Sequence, residues 1–540
     1  MLNWVYMGLR PLRHRKGGES VEHRQNNATK TISMVMIWTL LGKVMGLYRD
    51  HLLAVHYGMG MEANAFYTAS RIPRVFFDAV FASAISACFI PVFSEYLTKK
   101  DKDSAFRFSR AFLTVMGLLT AVLSVVGMMG SGALVELFAD GYDAQTAQLA
   151  TTLTRIMFPT VLFTGIAFSF VGILQSLDEF KIPALMSVVS NAVVIVYFLF
   201  FDRSFGVFGL AAAYLVGWLL QAVIQVPPLH RLGFRYAPVW EPTSDGMKKV
   251  FALMGPVMVS TWVQPINLTV NSKFGSRLFE GAGVSAIEYA TNLYLVIAGV
   301  FILSITNVIF PKLSRLTADG QGNAVRDTVR QTLHSSLFFV LPMSAGLMAV
   351  ARPLISFLYG GGAFDEFSVE ITSGALRLVA LGMAGYAVQN ILSRVYFARQ
   401  NGRVPLITGG VSILVNVALC MALTDSMQVN GLAAASAVSA TVYGLLLLIP
   451  LVREDKALLS GGFVADLVKM LLATALMYAV VAAMGSGCAA LLPDGKIGLL
   501  LTLGMSAGAG VAVYFVVSYL FRLDEARMSA DLVKRLLKRG

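Results

Sequence analysis

Residues 471–485 read Leu-Leu-Ala-Thr-Ala-Leu-Met-Tyr-Ala-Val-Val-Ala-Ala-Met-Gly, an apolar run without a charge and without alternation. A strand in lipid would alternate apolar and polar residues, because successive side chains point to opposite faces. A continuous run suits a helix, whose backbone groups pair within the segment. Residues 121–130, Ala-Val-Leu-Ser-Val-Val-Gly-Met-Met-Gly, read the same way. Apolar stretches of about 20 residues recur along the chain, each able to cross a hydrocarbon core of about 30 Å.

Composition agrees with this reading. The 540 residues are 56% hydrophobic and 14% charged, with a mean hydropathy of +0.69. A soluble domain keeps a larger charged shell. The window rule predicts a polytopic all-α membrane protein of about 14 transmembrane helices. They are expected at 31–57, 64–97, 106–131, 148–175, 182–201, 208–230, 247–274, 284–312, 330–351, 372–398, 404–424, 431–452, 464–486 and 497–521. Cys88, Cys420 and Cys488 fall in apolar runs far apart, which fits neither a disulfide framework nor a metal site. At the N-terminus, Arg10, Arg13, Arg15 and Lys16 precede a polar stretch rather than an apolar one, so no cleavable signal is expected.

The formal net charge is +12, and its placement is informative. The N-terminal tail and the even-numbered connections hold most of it, for example Lys99, Lys100, Lys102, Arg107 and Arg110, then Arg231, Arg235, Lys248 and Lys249. The odd-numbered connections carry few cations, among them Arg203, Lys273, Arg277 and Lys496. This asymmetry is the positive-inside pattern and predicts both termini on the cytoplasmic side of the membrane. The charge is topological and lipid-facing, so no nucleic-acid partner is expected.

An internal repeat organises the spans. Pro183 and Pro405 end similar segments at an offset of 222 residues, as do Gly209-Leu-Ala-Ala-Ala and Gly431-Leu-Ala-Ala-Ala. Phe89-Ile-Pro91 and Ile309-Phe-Pro311 lie 220 apart, as do Leu134-Val-Glu-Leu-Phe and Leu354-Ile-Ser-Phe-Leu. Six spans return the chain to the same side, so the two copies are parallel, a pattern of alternating-access transporters. The expected organisation is a basic tail (1–30), a first lobe (31–230) and a second lobe (247–452). A helix pair (464–521) and a second basic tail (522–540) follow.

Charges inside spans are costly and point to function. Lys43, Gly46, Arg49 and Asp50 share one face of the first span, and Arg71, Arg74 and Asp78 share a face of the second. Opposed, these faces would form a cationic wall, and guanidinium forks suit phosphate or pyrophosphate. The competing structural reading pairs these charges with one another or lets them snorkel. The second lobe contributes Gln264, Asn267, Asn271, Glu288 and Asn292 instead. Gln264-Pro265 is a kink candidate. Glu288 serves either as a coupling group or as the partner of a lobe-one arginine, and Asp50 and Asp78 have the same two options. Gly360-Gly361-Gly362 reads as a turn. No nucleotide-binding loop, hydrolase elbow or Cys/His metal pattern occurs, so neither a catalytic residue nor a metal nor a cofactor is expected.

With these residues in hand, the chain resembles the MurJ/MviN family. Lys43-Val-Met-Gly46-Leu-Tyr-Arg49-Asp50, Gly58-Met-Gly60, Asn64-Ala-Phe66, Arg71-Ile-Pro73 and Phe89-Ile-Pro91-Val-Phe-Ser-Glu95-Tyr96 carry the resemblance in lobe one. Glu288-Tyr-Ala-Thr-Asn292-Leu and Phe310-Pro311-Lys-Leu-Ser314 continue it in lobe two. The resemblance implies a bacterial flippase for lipid II, related to MATE exporters, with an undecaprenyl-pyrophosphate-linked substrate and membrane lipids as partners. It implies substrate contacts for Lys43 and Arg49, and Asn64 stands where an Asp is common; Arg71 and Arg74 complete the expected set. This chain departs from the family pattern at Phe77, where an arginine is frequent, and at Thr291-Asn292, where an Asp-Arg pair is frequent.

The leading expectation is a lipid II flippase for cell wall synthesis, driven by membrane potential or an ion gradient, with the cell wall synthesis machinery as a partner. A flippase for another polyprenyl-linked oligosaccharide shares the same cavity logic. A MATE-like cation exporter would need buried acids to dominate. A membrane enzyme would need a catalytic acid among Asp140, Asp143, Asp365 and Glu366, which lie in short loops.

Overall fold

The computed structural model describes residues 21–77, 88–261, 263–459, 461–493 and 495–529. Lobe one comprises α1 (Val21–Tyr57), α2 (Met61–Phe77), α3 (Ile90–Lys99), α4 (Lys102–Met129), α5 (Ser131–Phe138), α6 (Ala144–Met157), α7 (Thr160–Ser176), α8 (Lys181–Phe200), α9 (Asp202–Val223) and α10 (Val226–Arg231). Lobe two comprises α11 (Asp245–Thr261), α12 (Val263–Gly275), α13 (Ala282–Ala318), α14 (Gly322–Ala349), α15 (Ala351–Tyr359), α16 (Glu366–Leu381), α17 (Met383–Ala398), α18 (Arg403–Met427) and α19 (Val429–Glu454). The final pair is α20 (Gly461–Leu491) and α21 (Lys496–Leu520). Every stretch expected to span has a helical counterpart, and the protein is all-α.

Among the described residues, ten helical segments are long and apolar enough to cross a membrane, or eleven if α16 and α17, bent by 43°, count as one span. The long helix α1, which carries the expected site residues Lys43, Arg49 and Asp50, is not among these ten.

The repeat is written in the backbone as well as in the side chains. Left-handed residues recur at an offset of 222: Gly58 with Glu280, Asp178 with Gln400, and Gly206 with Gln428. The helix-capping aspartates recur likewise. Asp143 accepts from Thr146 N at the start of α6, and Asp365 accepts from Ser368 N at the start of α16. Such caps satisfy backbone donors that the helix itself cannot. Two of the four acids considered for an enzyme are therefore structural caps. Packing repeats too: α1 lies on α8 and α2 on α6, as α12 lies on α18 and α13 on α16.

One apolar cluster spans both lobes at the end remote from the termini, joining Ala63, Phe66 and Tyr67 to Tyr289, Tyr359 and Phe364. Toward the termini the core divides. Lobe one packs Phe89, Phe93, Phe108 and Phe112 with Met247 and Val250 of α11, while lobe two packs with α20 and α21 in a separate cluster. The lobes thus close on each other at the far end, while toward the termini the core separates into two clusters, with α11 of lobe two packed into that of lobe one.

Candidate functional site

The site is built on α1. Arg49 is partly exposed and fixed on two sides: Asp50 Oδ1 accepts from Nε at 3.0 Å and from Nη2 at 2.7 Å. Asn191 Oδ1 of α8 accepts from Nη1 at 3.1 Å. Asn191 is itself oriented, since its Nδ2 donates to Gly42 O at 3.1 Å. Among the described residues these contacts use three of the five guanidinium N–H donors. Lys43, two turns earlier, is exposed and lies within electrostatic reach of Arg74 on α2, which is also exposed. Of the face expected on the second span, Arg74 thus lies near Lys43, whereas Arg71 turns to α13.

The other expected site residues lie deeper. Arg71 is buried, forms an ion pair with Glu288 of α13 and donates from Nη1 to Leu268 O at 3.3 Å. Both partners lie across the lobe boundary, so of the two options for Glu288 the structure displays partnership with a lobe-one arginine. Asn64 is buried: Nδ2 donates to Met59 O, and Oδ1 accepts from Ser285 N of α13 at 3.3 Å. Its family position reads as substrate contact, but here the amide ties α2 to α13. Asn271 is buried between α18 and α19, where Nδ2 donates to Ser436 Oγ at 2.8 Å and Oδ1 accepts from Asn416 Nδ2 at 3.4 Å. It faces the interior of lobe two rather than an open cavity. Asn292 is half-buried on α13. Asp78 and the Gln264 side chain lie outside the described residues. Phe77, at the frequent arginine position, is buried against Phe168.

Further contacts close the lobes at the far end, and sequence reasoning missed them. A carbonyl can only accept, so His51 Nδ1 carries its proton and donates to Leu358 O at 2.5 Å. Ala363 N donates to Val55 O at 2.8 Å, and Tyr289 OH donates to Gly58 O at 3.2 Å. Gly58 must be glycine: its φ is +56°, and a Cβ there would meet Ala363 O at 2.2 Å. The glycine run at 360–362 forms the turn that presents Ala363. In the loop after α5, Asp140 takes a fork from Arg277, at 3.0 and 2.7 Å, with Lys273 at 3.3 Å. Gly141 N donates to Ser276 Oγ at 3.1 Å. The Arg277 fork holds the Asp140 carboxyl below its ordinary range against the opposing effect of burial, and Lys273 adds to the fork. The missed amide Asn191 did leave a signal, being an amide inside the apolar run 184–201.

This arrangement joins the two lobes at the end away from the termini and holds a partly exposed, oriented cation on α1. Comparisons agree with it. A lipid II flippase MurJ of Burkholderia cenocepacia is 29% identical over 457 residues, covering 82% of this chain and 87% of that protein. A probable lipid II flippase MurJ of Haemophilus influenzae is 30% identical over 462 residues, covering 82% and 90%. Among solved structures, a lipid II flippase MurJ in an inward closed conformation superposes with a TM-score of 0.74 at 23% identity, covering 91% of this chain and 99% of that one. A MATE transporter of Vibrio cholerae gives 0.58 at 15% identity, covering 80% and 100%. The family model described as "Lipid II flippase MurJ" matches residues 53–492, and the chain belongs to that family.

Proposed function

We propose that the protein carries lipid II, the polyprenyl-pyrophosphate-linked peptidoglycan precursor, from the inner to the outer leaflet by alternating access. The observation that carries this reading is the Arg49 guanidinium, held by Asp50 and Asn191, beside exposed Lys43 and Arg74. A pyrophosphate accepts forked donors, and a fixed fork binds it with less ordering cost. The relatives' names supply the rest of the substrate. The charge asymmetry of the connections supports termini in the cytoplasm, so the end closed by the His51, Val55 and Gly58 contacts faces outward. Transport then needs no nucleotide: moving one charge through the membrane potential is worth about 2.3 kcal/mol per 100 mV. An ion gradient is the alternative drive.

Depletion of the protein in its host tests the reading, with lipid II accumulating in the inner leaflet as the expected result. Unchanged peptidoglycan precursors with loss of a different glycan would assign the protein to another polyprenyl-linked oligosaccharide. That second reading is favoured by Phe77 and Thr291-Asn292, where the frequent family cations are absent. Arg49→Ala should abolish transport while the protein still inserts, and normal transport by that variant would remove Arg49 from the site.

A further inference from the structure

The segment joining the lobes, residues 232–244, is not a free loop. Phe234 is buried against Phe106, with ring centroids 5.4 Å apart. Arg110 Nε donates to Arg235 O at 2.8 Å, and Thr114 Oγ1 lies 3.2 Å from both Tyr236 OH and Val239 N. Arg107 Nε closes the strap at Glu241, at 3.0 Å. The strap climbs the side of α4 as far as Thr114, about 18 Å from the start of that helix at 1.5 Å per residue. It therefore runs beside the beginning of the apolar stretch rather than out in water.

Its outward side is unusual. Tyr236 is 53% and Trp240 62% exposed although the chain between them is pinned down. Along the strap stand Lys102, Arg110 and Arg235, which have no ion-pair partner among the described residues. Of the acids nearby, Asp101 caps α4 at Ser104 N and Glu241 holds Arg107, which leaves exposed Asp103 and Asp245. Tyrosine and tryptophan with a polar edge settle at the boundary between headgroups and acyl chains. Unpaired lysine and arginine at that depth attract anionic headgroups, Arg through forked contacts to phosphate.

We propose that the strap at 234–241, with Lys102, Arg110 and Arg235, is a binding surface for anionic phospholipid, and that Trp240 lies against the bound lipid. A lipid is the occupant that matches both features, a cationic cluster and a rigid aromatic edge at membrane depth.

The full-length protein is reconstituted into vesicles containing either dibromo-phosphatidylglycerol or dibromo-phosphatidylcholine at one mole fraction. The Trp240 signal is the difference between wild-type and Trp240→Phe emission. Phosphatidylglycerol is expected to quench it at least twofold more than phosphatidylcholine. The variant Lys102→Gln/Arg110→Gln/Arg235→Gln should erase that difference, with each lost cation lowering the preference up to about fivefold. If the triple variant does not reconstitute, Arg235→Gln serves, because its backbone carbonyl still accepts from Arg110. Equal quenching by both lipids in the wild type overturns the proposal. Absence of quenching by either also overturns it and assigns the strap to a protein partner or to water.

Discussion

Replacing Asp140 by asparagine asks whether the loop after α5 holds the two lobes together. Asp140 receives a fork from Arg277 and lies beside Lys273, all three side chains being partly exposed. Exposed pairs contribute about 0.2–1 kcal/mol each, with forked arginine contacts at the upper end. The clasp then favours the closed far end by roughly 1 kcal/mol, about fivefold in the ratio of closed to open. Asp140→Asn keeps the shape and removes the charge, so the closed population should fall by about that factor. Spin labels at exposed Gln145 and Ser426, with Cys88, Cys420 and Cys488 replaced, report the lobe separation as a distance distribution. High salt should act like the mutation, since screening weakens exposed pairs. Acid should not, over the ordinary range. A carboxyl held low in the closed state contributes above its ordinary pKa, about 3.9, and is lost as pH falls through the depressed value. The distribution should be flat from about pH 7 to 5 and shift only below about 4. An unchanged distribution in Asp140→Asn, or full additivity with Arg277→Leu, would refute the clasp.

Other perturbations follow from the same contacts. Asn191→Ala frees one side of Arg49 and should slow transport about tenfold, for a lost hydrogen bond to a charged group of about 1.5 kcal/mol; a flipping assay normalised to membrane abundance measures it. Glu288→Gln leaves Arg71 buried without its carboxylate and should cost about 3 kcal/mol or more, seen as a lower melting temperature in detergent. Adding Arg71→Met should recover most of that loss, and failure to do so would mean the pair is not the cause. Gly58→Val puts a Cβ against Ala363 O and should shift the same label pair toward the open distribution.

How far the sequence carries depends on what kind of information each feature needs. The spans and the repeat were legible because lipid imposes continuous apolar runs, and because Pro183 and Pro405 punctuate equivalent helix starts. That Lys43 and Arg49 share one face of α1 was legible from helical spacing alone. Burial of Asn64 and Asn271 was not, because an amide in a span reads the same whether it faces a cavity or bonds to a neighbouring helix. Deciding that requires Ser285 and Ser436, more than 160 residues away in each case. The clasp at Asp140 was invisible for a related reason: loop charges have no period, and only the folded lobes bring Arg277 to it.

The repeat also explains why the two lobes differ in role. Residue 271 is the counterpart of residue 49 at the 222-residue offset, and the two side chains do the same geometric thing. Each meets an asparagine on another helix of its own lobe, Arg49 of α1 with Asn191 of α8 and Asn271 of α12 with Asn416 of α18. Their other partners differ in charge. Arg49 meets Asp50 and stays partly exposed, whereas Asn271 is closed off by Ser436, with Cys420 Sγ 3.9 Å away. A neutral cluster of this kind gains nothing from an anionic ligand or from the membrane field. The fold supplies two equivalent positions, and the side chains leave one as packing and the other as a cation fixed in place. Substitution at Asn271 should therefore act through the stability of lobe two, and substitution at Arg49 through the substrate.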